Sequence, residues 1–286
     1  MQATRTGRVP ANKGRILLLG HEKPVRKIVA SMLAAWGYEC REATGGLKAL
    51  TLLKAGENFD LILTDLVNDR LGGIGLLELK KEYFPDIPVA LITTWRRLGY
   101  ALEGMRNGAY DFLPIPFEGE QLSFFVRRAL VDRRLILENR SFQERLGTLP
   151  AATVRRPKRI LVQDDEEPIR EIINAMLSSV RYECYLAETS QETLDILAKQ
   201  EIDVVLCGFV EWTEKDFRHM IAKYPNVPVG IVTAVHDINA VLRPIRNGAY
   251  DFLLKPFERE QLFLFVRRAL EHRLLKLDHE AYSLLM

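Results

Sequence analysis

Short apolar runs and helical stripes alternate along the chain. Arg15 to Gly20 (RILLLG) is a continuous apolar run, as a strand buried on both faces should be. Pro24 then sits where a first helical turn tolerates it, and Val25, Ile28, Val29, Met32, Leu33 and Trp36 recur at helical spacing until Gly37. Tyr38 to Ala43 reads as a strand, and Leu47, Leu50 and Leu53 mark a second helix. Asp60 to Thr64 is a buried strand that delivers Asp65 to its C-terminal end. Leu76, Leu77 and Leu79 belong to a third helix, and Ile87 to Thr93 is the next strand. A short helix ends near Asn107-Gly108, Tyr110 to Leu113 is the fifth strand, and a fifth helix starts at Glu118. Strands alternating with helices predict an α/β fold, a doubly wound parallel sheet with helices on both faces. Ligands of such sheets bind beyond the C-terminal strand ends, a rim that here carries Gly20, His21, Asp65 and Thr93.

The pattern then starts again. Strands are predicted near 159–163, 182–187, 203–207, 228–233 and 250–254. The string RNGAYDFL at Arg106 returns unaltered at Arg246, 140 positions on. Pro116-Phe117-Glu118, Glu120-Gln121-Leu122 and Phe125 to Leu130 return at the same spacing. Arg15 matches Arg159 at 144 positions, so the second half is shorter, with three residues lost between Asp60/Asp203 and Pro88/Pro228. This period is too long for a solenoid, whose units run to about 20–50 residues. Two homologous domains are expected, at 15–146 and 159–286, with a flexible arm at 1–14 and a linker at 147–158.

Composition narrows the class. No apolar run approaches the ~20 residues of a membrane span, and the polar, basic start has no signal-peptide core. Cys40, Cys184 and Cys207 are few and widely spaced, which fits reduced cytoplasmic thiols and no metal cluster. A net charge of +2 is too small to argue for nucleic acid.

Both fifth helices run on. Glu120 to Leu146 and the stretch from Glu260 to the end are about twice the usual ~11–12 residues. In the second, Val266, Leu270, Leu274, Leu277, Ala281 and Leu284 step by three or four. Such a stripe should meet another helix, within the chain or in a homodimer through the extended fifth helices.

Arg159 to Arg170 (RILVQDDEEPIR), the strand ending Thr64-Asp65, the strand ending Val232-Thr233-Ala234, and Lys255-Pro256-Phe257 together resemble the signature segments of response-regulator receiver domains. The resemblance covers about 15–135 and 159–275 and implies two flavodoxin-like receivers. It also implies a chemistry. A receiver aspartate takes a phosphoryl group from a histidine kinase, a transfer that is mostly positioning and charge neutralisation. Two carboxylates hold Mg2+, a lysine supplies a point charge, and a hydroxyl and an aromatic relay the change.

Neither half matches the whole set. In the first, Asp65 matches the phosphoacceptor, Thr93 the switch hydroxyl and Phe112 the switch aromatic, but Gly20 and His21 stand in the acidic positions and Ile115 in the lysine position. In the second, Asp164 and Asp165 match the acidic pair and are the metal candidates, with Thr233, Phe252 and Lys255 in their places, but Gly208 stands for the acceptor. Cys207 should point to the opposite face and cannot replace it. The resemblance implies a phosphorelay protein, not an enzyme, that accepts phosphate on Asp65 from a sensor histidine kinase and signals through protein contacts. No helix-turn-helix region follows either receiver, so nucleic acid is not an expected partner. The alternative is a phosphorylation-independent adaptor built from two degenerate receivers.

Overall fold

The structure is a computed structural model and describes residues 13–20, 23–65, 72–147, 156–208, 212–234 and 243–285. The chain divides into two compact units, Met1–Leu137 and Glu138–Met286. The division falls inside one long helix, ahead of the linker.

In the first unit β1 (Arg15–Leu19), α1 (Lys23–Ala35), β2 (Glu39–Ala43), α2 (Gly46–Lys54), β3 (Leu61–Thr64), α3 (Gly72–Tyr83), β4 (Val89–Thr94), α4 (Leu98–Arg106), β5 (Phe112–Ile115) and α5 (Gly119–Leu146) follow one another. The strands form one parallel sheet in the order β2-β1-β3-β4-β5. The second unit holds β6 (Arg159–Gln163), α6 (Glu167–Ser178), β7 (Glu183–Ala187), α7 (Ser190–Lys199), β8 (Val204–Cys207), α8 (Glu214–Lys223), β9 (Val229–Thr233), β10 (Asp251–Leu254) and a C-terminal helix (Arg259–Ser283). Its parallel sheet has the equivalent order, β7-β6-β8-β9-β10. Two flavodoxin-like α/β units are therefore present, as the alternation predicts.

The central strands are buried on both faces, which is why they read as unbroken apolar runs. Ile16, Leu18, Leu61, Leu63 and Ile92 pack with Val29 and Leu33 of α1 and with Leu122, Phe125 and Val126 of α5. Ile160, Val162, Val204, Leu206 and Val232 pack in the same way with Ile173, Leu177, Leu262, Phe265 and Val266. Gly230 lets the C-terminal helix come close, because a Cβ there would stand 2.3 Å from the Phe265 ring.

The repeated strings are scaffold. Gly108 and Gly248 have φ of +97° and +102°, the left-handed turn that glycine adopts at least cost. Asp111 and Asp251 are buried, accept the N–H of Phe112 and Phe252, and pair with Arg128 and Arg268. The first fifth strand spans Phe112–Ile115 and does not start at Tyr110, although the Tyr110 N–H already donates to the Val89 carbonyl at 2.7 Å and the Leu91 N–H to the Asp111 carbonyl at 2.8 Å. Gln121 and Gln261 accept the N–H of Glu118 and Glu258, which caps the helices that follow.

At the N-terminal strand ends, Asp60 accepts the Arg15 N–H at 2.8 Å and pairs with Arg133 at 2.8 Å. Asp203 accepts the Arg159 N–H at 2.9 Å and pairs with Arg156 at 2.7 Å and Arg273 at 3.2 Å. Burial pushes the Asp203 carboxyl up, but the Arg159 N–H and the Arg156 guanidinium outweigh it and leave its pKa lowered.

The C-terminal helix is held along its length. Arg273 donates to the Asn226 carbonyl at 2.9 Å and Lys276 to the Pro225 carbonyl at 2.6 Å. Its buried face departs from the predicted stripe. Val266 and Leu270 are buried, but Leu274 and Leu284 are exposed and Tyr282 is buried instead. Tyr282 packs against Phe142 of α5, in the part of that helix that belongs to the second unit.

Candidate functional site

In the first unit the rim is built from the ends of β1, β3, β4 and β5. Gly20 follows β1 with φ +60°, and a Cβ on it would stand 2.1 Å from Asp65 Oδ1. The carboxylate of Asp65 thus fills the space where a side chain at position 20 would go. Thr64 donates to the Asp65 carbonyl at 2.8 Å. Thr93 is buried near the end of β4, and Phe112 is half-buried on β5. Ile115, in the lysine position, packs on the apolar cluster between the sheet and α5, so no cation comes from that strand end. His21 lies outside the described residues.

In the second unit the structure brings Asp164 and Lys255 together. Lys255 Nζ donates to Asp164 Oδ2 at 2.7 Å and to Glu166 at 3.2 Å. The other oxygen, Oδ1, accepts the Glu166 N–H at 3.1 Å. Asp164 is buried, while Asp165 is exposed and offers its carbonyl to Arg170. Gly208 ends β8 beside this pair, and a Cβ there would lie 3.6 Å from Asp164 Oδ2. Thr233 is buried at the end of β9 and Phe252 is half-buried. The Cys207 thiol is fully buried, and that burial, then the nearby Asp164 charge, raises its pKa far above the ordinary thiol range.

Asp164 and Asp165, the candidates for Mg2+, would supply it two carboxylates at most. A hard cation of this kind is held by oxygen ligands. Both oxygens of Asp164 are engaged by Lys255 and the Glu166 amide. Among the described residues no group of three or more His, Cys, Asp or Glu stands together to hold a metal ion.

Four contributors were not singled out by sequence. Arg26 donates to the Gly20 carbonyl at 2.8 Å, and its counterpart Arg170 to the Asp164 carbonyl at 2.6 Å. Both come from the first helix of their unit and fix the strand end. Glu166 lies inside the quoted RILVQDDEEPIR segment and was open to the same reading. Gln163 is buried one residue before Asp164 and accepts the Trp212 indole N–H at 3.1 Å. Nothing in one dimension links those two.

The basic segments are absorbed locally. Arg128 is buried against Asp111, Arg156 pairs with Asp203 and Arg159 with Glu183 at 3.0 Å. No helix among the described residues is long and apolar enough to cross a membrane.

The response regulator receiver domain matches this chain twice, over residues 16–127 and 160–267. The chain belongs to the response regulator receiver family. The nitrogen assimilation regulatory protein NtrX of Azorhizobium caulinodans is 33% identical over 131 residues, 45% of this chain and 29% of that protein. The regulatory protein AtoC of Escherichia coli is 31% identical over 134 residues, 47% of this chain and 29% of that protein. The chain therefore spans less than a third of the length of these relatives. The receiver domain of NtrX from Brucella abortus, a crystal structure, is 32% identical and has a TM-score of 0.39, covering 41% of this chain and 98% of that one.

Proposed function

We propose that this chain is a phosphate-independent adaptor in two-component signalling, in which two receiver units dock on a sensor histidine kinase or another signalling protein. One observation supports the reading: among the described residues, Ile115 stands in the lysine position of the rim that holds Asp65, and Gly208 stands in the acceptor position of the rim that holds Lys255. Asp65 occupies the space above Gly20 and faces no lysine at Ile115, while Lys255 is closed onto Asp164 beside a glycine. Phosphoryl transfer depends on that neutralisation, and loss of one such donor costs about 10²–10³ in rate. The adaptor acts in the cytoplasm and needs no reaction of its own.

The second reading keeps Asp65 as a phosphoacceptor. It is favoured by the position of Asp65 directly after β3, on the strand beside the one that carries Thr93.

Intact-mass measurement separates the two. Wild type and Asp65→Asn are incubated with a small phosphodonor and Mg2+, and then with phosphorylated histidine kinases. The adaptor reading expects no added phosphoryl group and kinase binding of equal strength in both proteins. One phosphoryl group on wild type that is absent from Asp65→Asn overturns it in favour of the second reading.

A further inference from the structure

The end of α5 and the C-terminal helix are the same segment of the two repeats, and they meet in the register of the repeat. Phe142 lies 140 positions before Tyr282, the spacing that also relates Arg106 to Arg246. Their rings are 5.8 Å apart between centroids. The Phe142 ring is 5.6 Å from that of His279, and His279 Nδ1 is 3.6 Å from Glu138. One turn earlier on the C-terminal helix, the Leu275 carbonyl accepts the side-chain amide of Asn139 at 3.0 Å. From Asn139 to Phe142 the partner moves from Leu275 to Tyr282, so the two helices run in the same direction. Tyr282 is 1% exposed and Asn139 5%, so the contact is packed and not grazing.

Helices that run parallel and meet through equivalent positions form the two-stranded arrangement by which identical chains pair. In an isologous pair each surface is its own complement. Here both strands of the pair come from one chain, inside the second unit.

We infer that residues 138–146 occupy, in cis, the surface of the C-terminal helix on which the same helix of a second copy would otherwise dock. The pair is closed within each chain, and the fifth helices supply no homodimer while it stays closed. This goes beyond the adaptor reading and does not depend on it, because it concerns pairing and not the rims.

The test is a covalent link in the full chain. Glu138→Cys and His279→Cys are combined, since these side chains are partly exposed and their exchange spares the core. A short bis-maleimide is added and the product is weighed under denaturing conditions, with each single variant as a blank for Cys40, Cys184 and Cys207. A peptide-mapped link between positions 138 and 279 at the mass of one chain is expected. The same link at the mass of two chains overturns the inference, and so does absence of the link. Phe142→Cys with Tyr282→Cys repeats the measurement within the packed core of the pair. Light scattering on Phe142→Asp reads the uncovered surface. A mean mass that rises towards two chains with concentration is expected, while wild type stays at one. A variant that stays at one chain across a hundredfold concentration range overturns the claim that the surface complements itself.

Discussion

Asp164 and Lys255 stand 91 positions apart in the chain and 2.7 Å apart in space. Their ion pair ties the end of β6 to the end of β10 and leaves Asp164 1% exposed. Removing one partner of a buried pair leaves the other charge uncompensated, at a cost of about 3–5 kcal/mol. Lys255→Met should therefore destabilise the second unit by about 3 kcal/mol, towards the lower end because Lys255 itself is partly exposed. Urea unfolding followed by circular dichroism measures it, and an unmoved midpoint would show that the pair is not coupled to folding.

Gly208 is open where the acceptor of a receiver belongs. Among the described residues the nearest atom to a Cβ there is Asp164 Oδ2 at 3.6 Å, an ordinary contact. Gly208→Asp should fold and add a third carboxylate to Asp164 and Asp165, with Lys255 already in place. On an Asp65→Asn background, incubation with a small phosphodonor and Mg2+ should then add one hydroxylamine-sensitive phosphoryl group. An unchanged intact mass would mean that the Lys255–Asp164 pair does not open to receive it.

Position 20 behaves in the opposite way. Gly20 has φ +60°, and a Cβ there would stand 2.1 Å from Asp65 Oδ1. Gly20→Asp should not rebuild an acidic site but destabilise the first unit. The left-handed backbone strains any side chain, though an aspartate less than most, and the Asp65 side chain must be displaced. Differential scanning calorimetry should show a lowered transition, and a raised or unaltered one would contradict the geometry.

Asp203 links stability to pH. Its carboxyl is held below the usual range by the Arg159 N–H and Arg156. A depressed folded pKa contributes stability above the unfolded value of about 3.9 and loses it as pH falls below that towards the folded one. Asp203→Asn should cost about 3 kcal/mol at neutral pH, as for removal of one partner from a buried pair. The gap between wild type and variant should narrow as pH drops below about 4. A gap that is constant from pH 6 to pH 3 would assign the loss to packing and not to charge.

Much of the architecture is written in one dimension. Apolar runs such as RILLL and DLILT mark buried parallel strands, and the repeated octamer marks two domains. What that octamer does is not visible there. Its aspartate is buried against an arginine 17 residues on, a partner that depends on how the fifth helix lies on the sheet. The aligned residues show which groups each rim lacks, but not what fills the gap. A glycine in an acidic position reads as a missing group, whereas Gly20 is a left-handed corner with the Asp65 carboxylate pressed against it. The buried face of the last helix departs from its apolar step for a related reason. Leu274 and Leu284 continue the apolar step, yet the fixed partner on α5 selects the face that carries Tyr282.

The crowding of Asp65 over Gly20 also sets which rim is easier to rebuild. An acid placed at position 20 must adopt a left-handed backbone and push the Asp65 carboxylate aside, so it calls for a second change beside it. At Gly208 a new side chain meets only ordinary contact among the described residues. For engineering phosphate control into this chain, the second unit is the shorter route.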